Sequence, residues 1–190
     1  MSEVVLIYPK LVEAKYHWMP WSVIGLAQAV EDRWHTCHVW DQRLDDEAVL
    51  WELIDRDPVF VGISAMIGSQ ITNGLALAKM IRMLNPLVPL VWGGPFITEA
   101  PECALGHSLV DVVVVGPGEG WMGSILSDCR ETSKPTLYGT RSYGTRRPSR
   151  ARWPRVEVSR YINPATRALA YVSSIGCTHS CRFCRMGGGW

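Results

Sequence analysis

The feature that most restricts this chain is a series of short apolar runs set apart by helical stretches. Val4-Val5-Leu6-Ile7-Tyr8, ended by Pro9, suits a strand buried on both faces. Thr36 to Trp40, Val59 to Ser64, Val88 to Trp92 and Asp111 to Val115 repeat the theme. Between them fall helical patterns. One starts at Ser22 as N-cap and runs through Trp34, with Val23, Ala27, Val30 and Trp34 on one face. Another covers Asp45 to Ile54. A third carries Ile71, Leu75, Ala78 and Ile81 and stops at Asn85-Pro86, and a fourth runs from about Gly120 to Cys129. Five buried strands joined by helices demand a parallel sheet covered on both sides, because parallel strands need crossovers and these pack right-handed. The expected fold is an α/β doubly wound, flavodoxin-like parallel sheet of Rossmann-like type.

In such a sheet the ligand lies beyond the carboxyl ends of the strands. Those ends carry Pro9-Lys10, Ser64-Ala65-Met66-Ile67-Gly68, Gly93-Gly94-Pro95 and Gly116-Pro117-Gly118. Glycine in three of the four permits tight turns and a close approach of backbone to a bulky ligand.

The expected division is an α/β domain over 1–131, a basic, proline-containing linker over 132–165, and the start of a second domain over 166–190. Net charge is +1, which calls for no polyanionic partner. The balance is uneven, however. Seven arginines face one acid, Glu157, between Arg141 and Arg160, a local +6 that leaves the remainder at about −5. This tract reads first as a solvated connector whose arginines pack on neighbouring acids, and only second as a nucleic-acid contact. The N-terminus lacks a basic region ahead of an apolar stretch, and no apolar run reaches the ~18 residues of a membrane span. Six cysteines without an export signal point to free thiols or metal ligation in the cytoplasm. Cys37, Cys103 and Cys129 have no partner spacing and read as packing residues.

The other three cysteines carry chemistry. A strand from Leu169 to Ile175 leads into Gly176-Cys177-Thr178-His179-Ser180-Cys181-Arg182-Phe183-Cys184. Three thiolates at spacings of four and three fold around one iron–sulfur cube and leave one iron open to a small chelating ligand. Other readings stay open. Zinc could use Cys177, Cys181, Cys184 and His179, although structural zinc sites space their ligands more widely. Cys181 and Cys184 could form a redox pair, or the spacing could be chance.

The cysteine loop, with an aromatic residue just before its last cysteine, is similar to the signature of radical S-adenosylmethionine (SAM) enzymes. Upstream, Val61 to Ile71, Val91-Trp92-Gly93-Gly94-Pro95 and Val115-Gly116-Pro117-Gly118-Glu119 resemble the N-terminal domain of the cobalamin-binding radical SAM family. The resemblance implies three cofactors: cobalamin, a [4Fe–4S] cluster and SAM. It implies Cys177, Cys181 and Cys184 as cluster ligands, Phe183 beside the SAM adenine, and Ser64, Gln70, Gly93, Gly94 and Glu119 around cobalamin, with Ser64 near the corrin or its nucleotide tail. It also implies a methyltransferase-class reaction, in which one SAM methylates the corrinoid and a second gives the radical that activates the substrate. From residue type alone, Ser64 reads equally as a helix cap, Gln70 as a surface polar group, the glycines as turn-formers and Glu119 as a helix-dipole partner.

The sequence departs from relatives in three places. The Asp-x-His-x-x-Gly motif that supplies an axial histidine in many cobalamin proteins is absent, and neither His17 nor His35 stands in that pattern. The lower corrin face is therefore expected to lack a protein histidine. Phe96 follows the Gly-Gly-Pro turn where a histidine is frequent, and Pro117 replaces an acid and removes an amide donor. Because only one strand and one loop of a radical SAM barrel precede Trp190, the chain alone is expected to be inactive, as a truncated gene product, a gene fragment or a cloning boundary. Two other classes remain: a non-catalytic corrinoid-binding module, and a zinc-binding regulatory α/β domain.

Overall fold

The structure is a computed structural model that describes residues 2–11, 17–31, 34–131, 136–139, 156–170 and 172. Its strands are β1 (Ser2–Tyr8), β2 (His35–Asp41), β3 (Val61–Ser64), β4 (Leu90–Gly93), β5 (Val112–Val115) and β6 (Thr136–Gly139). They form one parallel sheet in the order β2-β1-β3-β4-β5-β6. The helices are α1 (Trp21–Val30), α2 (Glu47–Asp55), α3 (Ser69–Leu84), α4 (Pro95–Glu99), α5 (Pro101–Ala104) and α6 (Met122–Glu131). The expected flavodoxin-like order is therefore present, extended by one edge strand.

Alternation along β1 shows why both faces need cover. Val4 and Leu6 pack with Val23, Ala27 and Val30 of α1 and Ile125 and Leu126 of α6. Val5 and Ile7 point the other way, among Leu50 and Ile54 of α2 and Leu77, Ala78 and Ile81 of α3. Trp92 completes that second layer. Its ring lies against Gly74 of α3, where an added Cβ would meet the indole at 3.0 Å, and its Nε1 donates to the Leu109 carbonyl at 2.9 Å.

Several boundaries differ from those expected. The helix α1 begins at Trp21, with the Pro20 carbonyl accepting from the Val23 and Ile24 amides, so Ser22 lies inside the first turn and is no cap. Trp34 leaves the helical face, is exposed, and accepts from the Ser2 amide just ahead of β2. In α2, Asp46 is the N-cap, its carboxylate accepting from the Ala48 amide at 2.9 Å. The short helices α4 and α5 and the strand β6 were not anticipated. Thr136–Gly139 falls in the stretch read as linker, yet pairs with β5 over four residues. Tyr138 turns inward there, and its hydroxyl donates to Asp128 of α6. Leu169 and Ala170 show no strand pairing, and most of the strand expected up to Ile175 lies outside the described residues.

At the amino edge, the Asp111 carboxylate accepts from the Leu90 amide at 2.7 Å and from Arg82 of α3. Arg82 also donates to the Pro86 and Val88 carbonyls. One ion pair thus ties α3, β4 and β5 together. We expect Asp111→Ala to lower unfolding stability by about 2 kcal/mol in urea titration, through lost charge-assisted bonds and an amide left unpaired.

The described free cysteines differ in environment. Cys37 is buried, and burial followed by the nearby Glu31 charge pushes its thiol well up. Cys129 is pushed up to about 12 by burial, then by Asp128 and Asp111. Cys103 is exposed on α5, so the packing role expected of it is absent. Peptide mapping after brief iodoacetamide treatment of the native chain at pH 8 is expected to show alkylation at Cys103, with Cys37 and Cys129 protected.

Candidate cofactor site at the carboxyl edge

The sheet changes direction of winding between β1 and β3, because the chain leaves β1 for α1 on one face and leaves β3 for α3 on the other. The loops after these two strands head to opposite faces, which is where a doubly wound sheet forms its ligand crevice. One side chain spans it. Gln70, in the first turn of α3, has no exposed surface. Its Nε2 donates to the Pro9 carbonyl after β1 at 2.7 Å, and its Oε1 accepts from the Met66 amide after β3 at 2.9 Å. Asn73, one turn further along, donates to the Lys10 carbonyl at 2.7 Å, and the Lys10 amide donates to Gln42 Oε1 after β2 at 2.8 Å. Three amide side chains therefore set the height and spacing of the lips.

Across the next strand pair, Ser64 ends β3 with 7% exposure and Gly93 ends β4. Gly94 follows at φ +100°, a conformation L side chains rarely adopt. A Cβ there would stand 2.7 Å from the Ala65 carbonyl oxygen and 2.9 Å from its nitrogen. Only glycine lets these two loops touch. Their contact is sealed by bonds from the Ala65 amide to the Gly93 carbonyl and from the Phe96 amide to the Ala65 carbonyl. Phe96 itself lies partly buried against the core below. Beyond β5, the Gly116 amide donates to the buried Thr98 hydroxyl at 3.0 Å, which fixes the Gly116-Pro117-Gly118 turn. Gly118 packs so closely on Leu26 of α1 that a Cβ would meet it at 2.8 Å. Glu119 is exposed, in a short 3-10 turn (Glu119–Trp121), with its carboxylate against Gly25.

Part of this edge is apolar. Met66 and Ile67, on the β3 loop, are exposed, Ile67 by 77%. At the β2 end a polar cluster closes it. Asp41, 1% exposed, forms a two-pronged pair with Arg43, Nε to Oδ1 at 2.8 Å and Nη2 to Oδ2 at 2.6 Å. Arg43 also lies 4.5 Å over the Tyr8 ring and donates to the Trp18 carbonyl at 2.8 Å. Burial opposes its charge, but Asp41 prevails and holds the guanidinium pKa above its usual value. His17, beside Trp18, is held below the usual imidazole value by burial and by the Arg43 charge.

The site residues expected from sequence thus divide. Ser64, Gln70, Gly93, Gly94 and Glu119 all lie at the carboxyl edge. Gln70 faces inward and is spent on bracing the lips, so it is no surface group. Ser64 ends a strand and caps no helix. Cys177, Cys181, Cys184 and Phe183 lie outside the described residues. Asn73, Gln42, Thr98 and Arg43 were missed. Nothing in their types marks them, because each acts on backbone brought near only by the fold. Among the described residues, no group of three or more His, Cys, Asp or Glu side chains is placed to hold a metal. No helix among them is long and apolar enough to cross a membrane.

Close-set backbone and exposed apolar side chains at this edge are compatible with a bulky ligand. The residues offer close-set backbone, the Ser64 hydroxyl and exposed Met66 and Ile67, with the Asp41–Arg43 pair at the β2 end. The comparison with known families agrees. Residues 10–126, more than half of the chain, match the family described as B12 binding domain. The chain therefore belongs to the B12 binding domain family, and the expectation of a cobalamin-binding α/β domain is borne out. No curated protein matches it.

Two substitutions probe the frame. Gly94→Ala is expected to lower stability by more than about 2 kcal/mol in chemical denaturation, since both φ and contact distance oppose a methyl group. Gln70→Ala should cost about 2–3 kcal/mol, because it strands a buried amide and a buried carbonyl together.

Proposed function

We propose that this chain belongs to a cobalamin-dependent radical SAM enzyme of the methyltransferase class. The observation that carries the proposal is the order of parts: a B12 binding domain over 10–126, followed by Cys177-x-x-x-Cys181-x-x-Cys184 in the same chain. In this reading Ser64, Gly93 and Gly94 hold one side of cobalamin through a hydroxyl and close backbone. Met66 and Ile67 supply the apolar shelf that keeps water from its face, and Glu119 lies at the far rim. Gln70 acts through the loops it braces. Bound cobalamin would supply a cobalt able to carry a methyl group between donor and acceptor.

Cys177, Cys181 and Cys184 hold a [4Fe–4S] cluster in the same reading, with one iron left for the amino and carboxylate groups of SAM. Phe183 flanks the adenine. Thiolate is the ligand type such clusters use, and three rather than four ligands is what an iron that also binds substrate requires. Contacts to the substrate come mainly from elsewhere than this edge.

The test is anaerobic loading of the chain with iron and sulfide, followed by gel filtration. The expected result is about four irons per chain with a broad absorption near roughly 400 nm. It should be abolished in the Cys177→Ala, Cys181→Ala and Cys184→Ala variants and retained in Cys103→Ala. Uptake of hydroxocobalamin without any cluster would instead identify a corrinoid module. Tetrahedral zinc bound in preference to iron would identify a zinc domain.

A further inference from the structure

The B12 binding domain match ends at residue 126, yet a segment thirty residues further on is built into the carboxyl edge. Tyr161, in a short 3-10 turn (Val158–Tyr161), is 5% exposed. Its ring packs with Met19 and Ile24, and Trp21, Leu44 and Val156 flank them. Its hydroxyl donates to Asp41 Oδ2 at 3.0 Å. The neighbouring Arg160 donates to Asp45 Oδ1 at 2.7 Å. Asp41 is the same carboxylate that clamps Arg43, which in turn holds the Trp18 carbonyl. One buried carboxylate thus ties the segment carrying Tyr161 to the stretch 17–20 that enters α1 beside the crevice.

We infer that Tyr161, through Asp41 and Arg43, is a positioning residue for the corrinoid site. It latches 156–161 onto the sheet edge and sets the 17–24 stretch that borders it. The geometry favours a shared latch over a passive contact. Both Asp41 oxygens are used, Oδ1 by the Arg43 backbone amide and Nε, and Oδ2 by Arg43 Nη2 and Tyr161. Loss of the Tyr161 hydroxyl leaves part of a buried carboxylate uncompensated, and the remaining partner that can shift is Arg43. Moving Arg43 releases the Trp18 carbonyl. Trp18, 73% exposed, is the large apolar side chain carried at that point. The inference rests on the cobalamin reading for its function, but the latch itself does not.

The test uses the full chain with Tyr161→Phe, which keeps the ring and removes only the hydroxyl, and Tyr161→Ala. Amide hydrogen exchange is read at residues 17–24 and, as an internal control, along α3 and β4. Hydroxocobalamin affinity is read by tryptophan quenching. The expected result for Tyr161→Phe is exchange faster by about tenfold at 17–24, unchanged in α3 and β4, with hydroxocobalamin bound about fivefold more weakly. Tyr161→Ala should exceed both effects. Unchanged exchange at 17–24 overturns the latch, whatever the affinity does. Faster exchange with wild-type affinity overturns its role toward the corrinoid. If the wild-type chain takes up no hydroxocobalamin, the cobalamin reading fails, and the exchange comparison still decides the latch.

Discussion

Buried polar groups must find partners, and at the carboxyl edge that requirement falls on Gln70. A parallel doubly wound sheet parts its loops at the switch between β1 and β3, so the backbone groups at the two lips have no strand to pair with. The Gln70 amide answers both lips at once, donating to Pro9 and accepting from Met66. A carboxylate in its place could not donate, and an ammonium could not accept. The neighbouring Asn73 and Gln42 extend the same solution to Lys10. The two lips are thus joined by neutral amides, while the charged Asp41–Arg43 pair lies at the β2 end of the same edge.

This arrangement explains what the sequence disclosed and what it hid. The four central strands, β1, β3, β4 and β5, were legible because apolar runs are what burial on both faces requires. Their ends were less so. Val59 and Phe60 lie ahead of β3, yet the Val59 amide donates to Glu3 and the Phe60 carbonyl accepts from Val5, so pairing fades rather than stops. The helices α4 and α5 span five and four residues, too few for a helical period to register. The strand β6 is four residues long and only Tyr138 faces inward, so its alternation could not stand out from the linker composition around it. Gly94 was legible as a loop glycine. That it is held at positive φ against Ala65 is a property of two loops 29 residues apart.

The same limit governs the polar side chains. Glutamine in a helix is usually exposed, and only the fold shows that Gln70 faces the crevice floor. Arginine 160 did behave as the composition suggested, since it packs on an acid, Asp45. Tyr161 and Asp41 are 120 residues apart, and no periodicity connects them. Such contacts join segments that each look complete alone.

Asp41 shows what that joining requires physically. A carboxylate with 1% exposure would be costly if it stood alone, and Oδ2, which already accepts from Arg43, has room for a second donor. The Tyr161 hydroxyl fills it from a distant part of the chain. Its own proton is held more firmly there, by burial and by the Asp41 charge, so the phenol stays a donor across the whole physiological range. An arginine could not serve there without adding charge, and a phenylalanine could not donate. Residues beyond the B12 binding domain therefore add a hydrogen bond to this end of the sheet edge. The physical unit that shapes this rim is larger than the family match, and the extension is made by one hydroxyl, one carboxylate and the guanidinium between the carboxylate and the site.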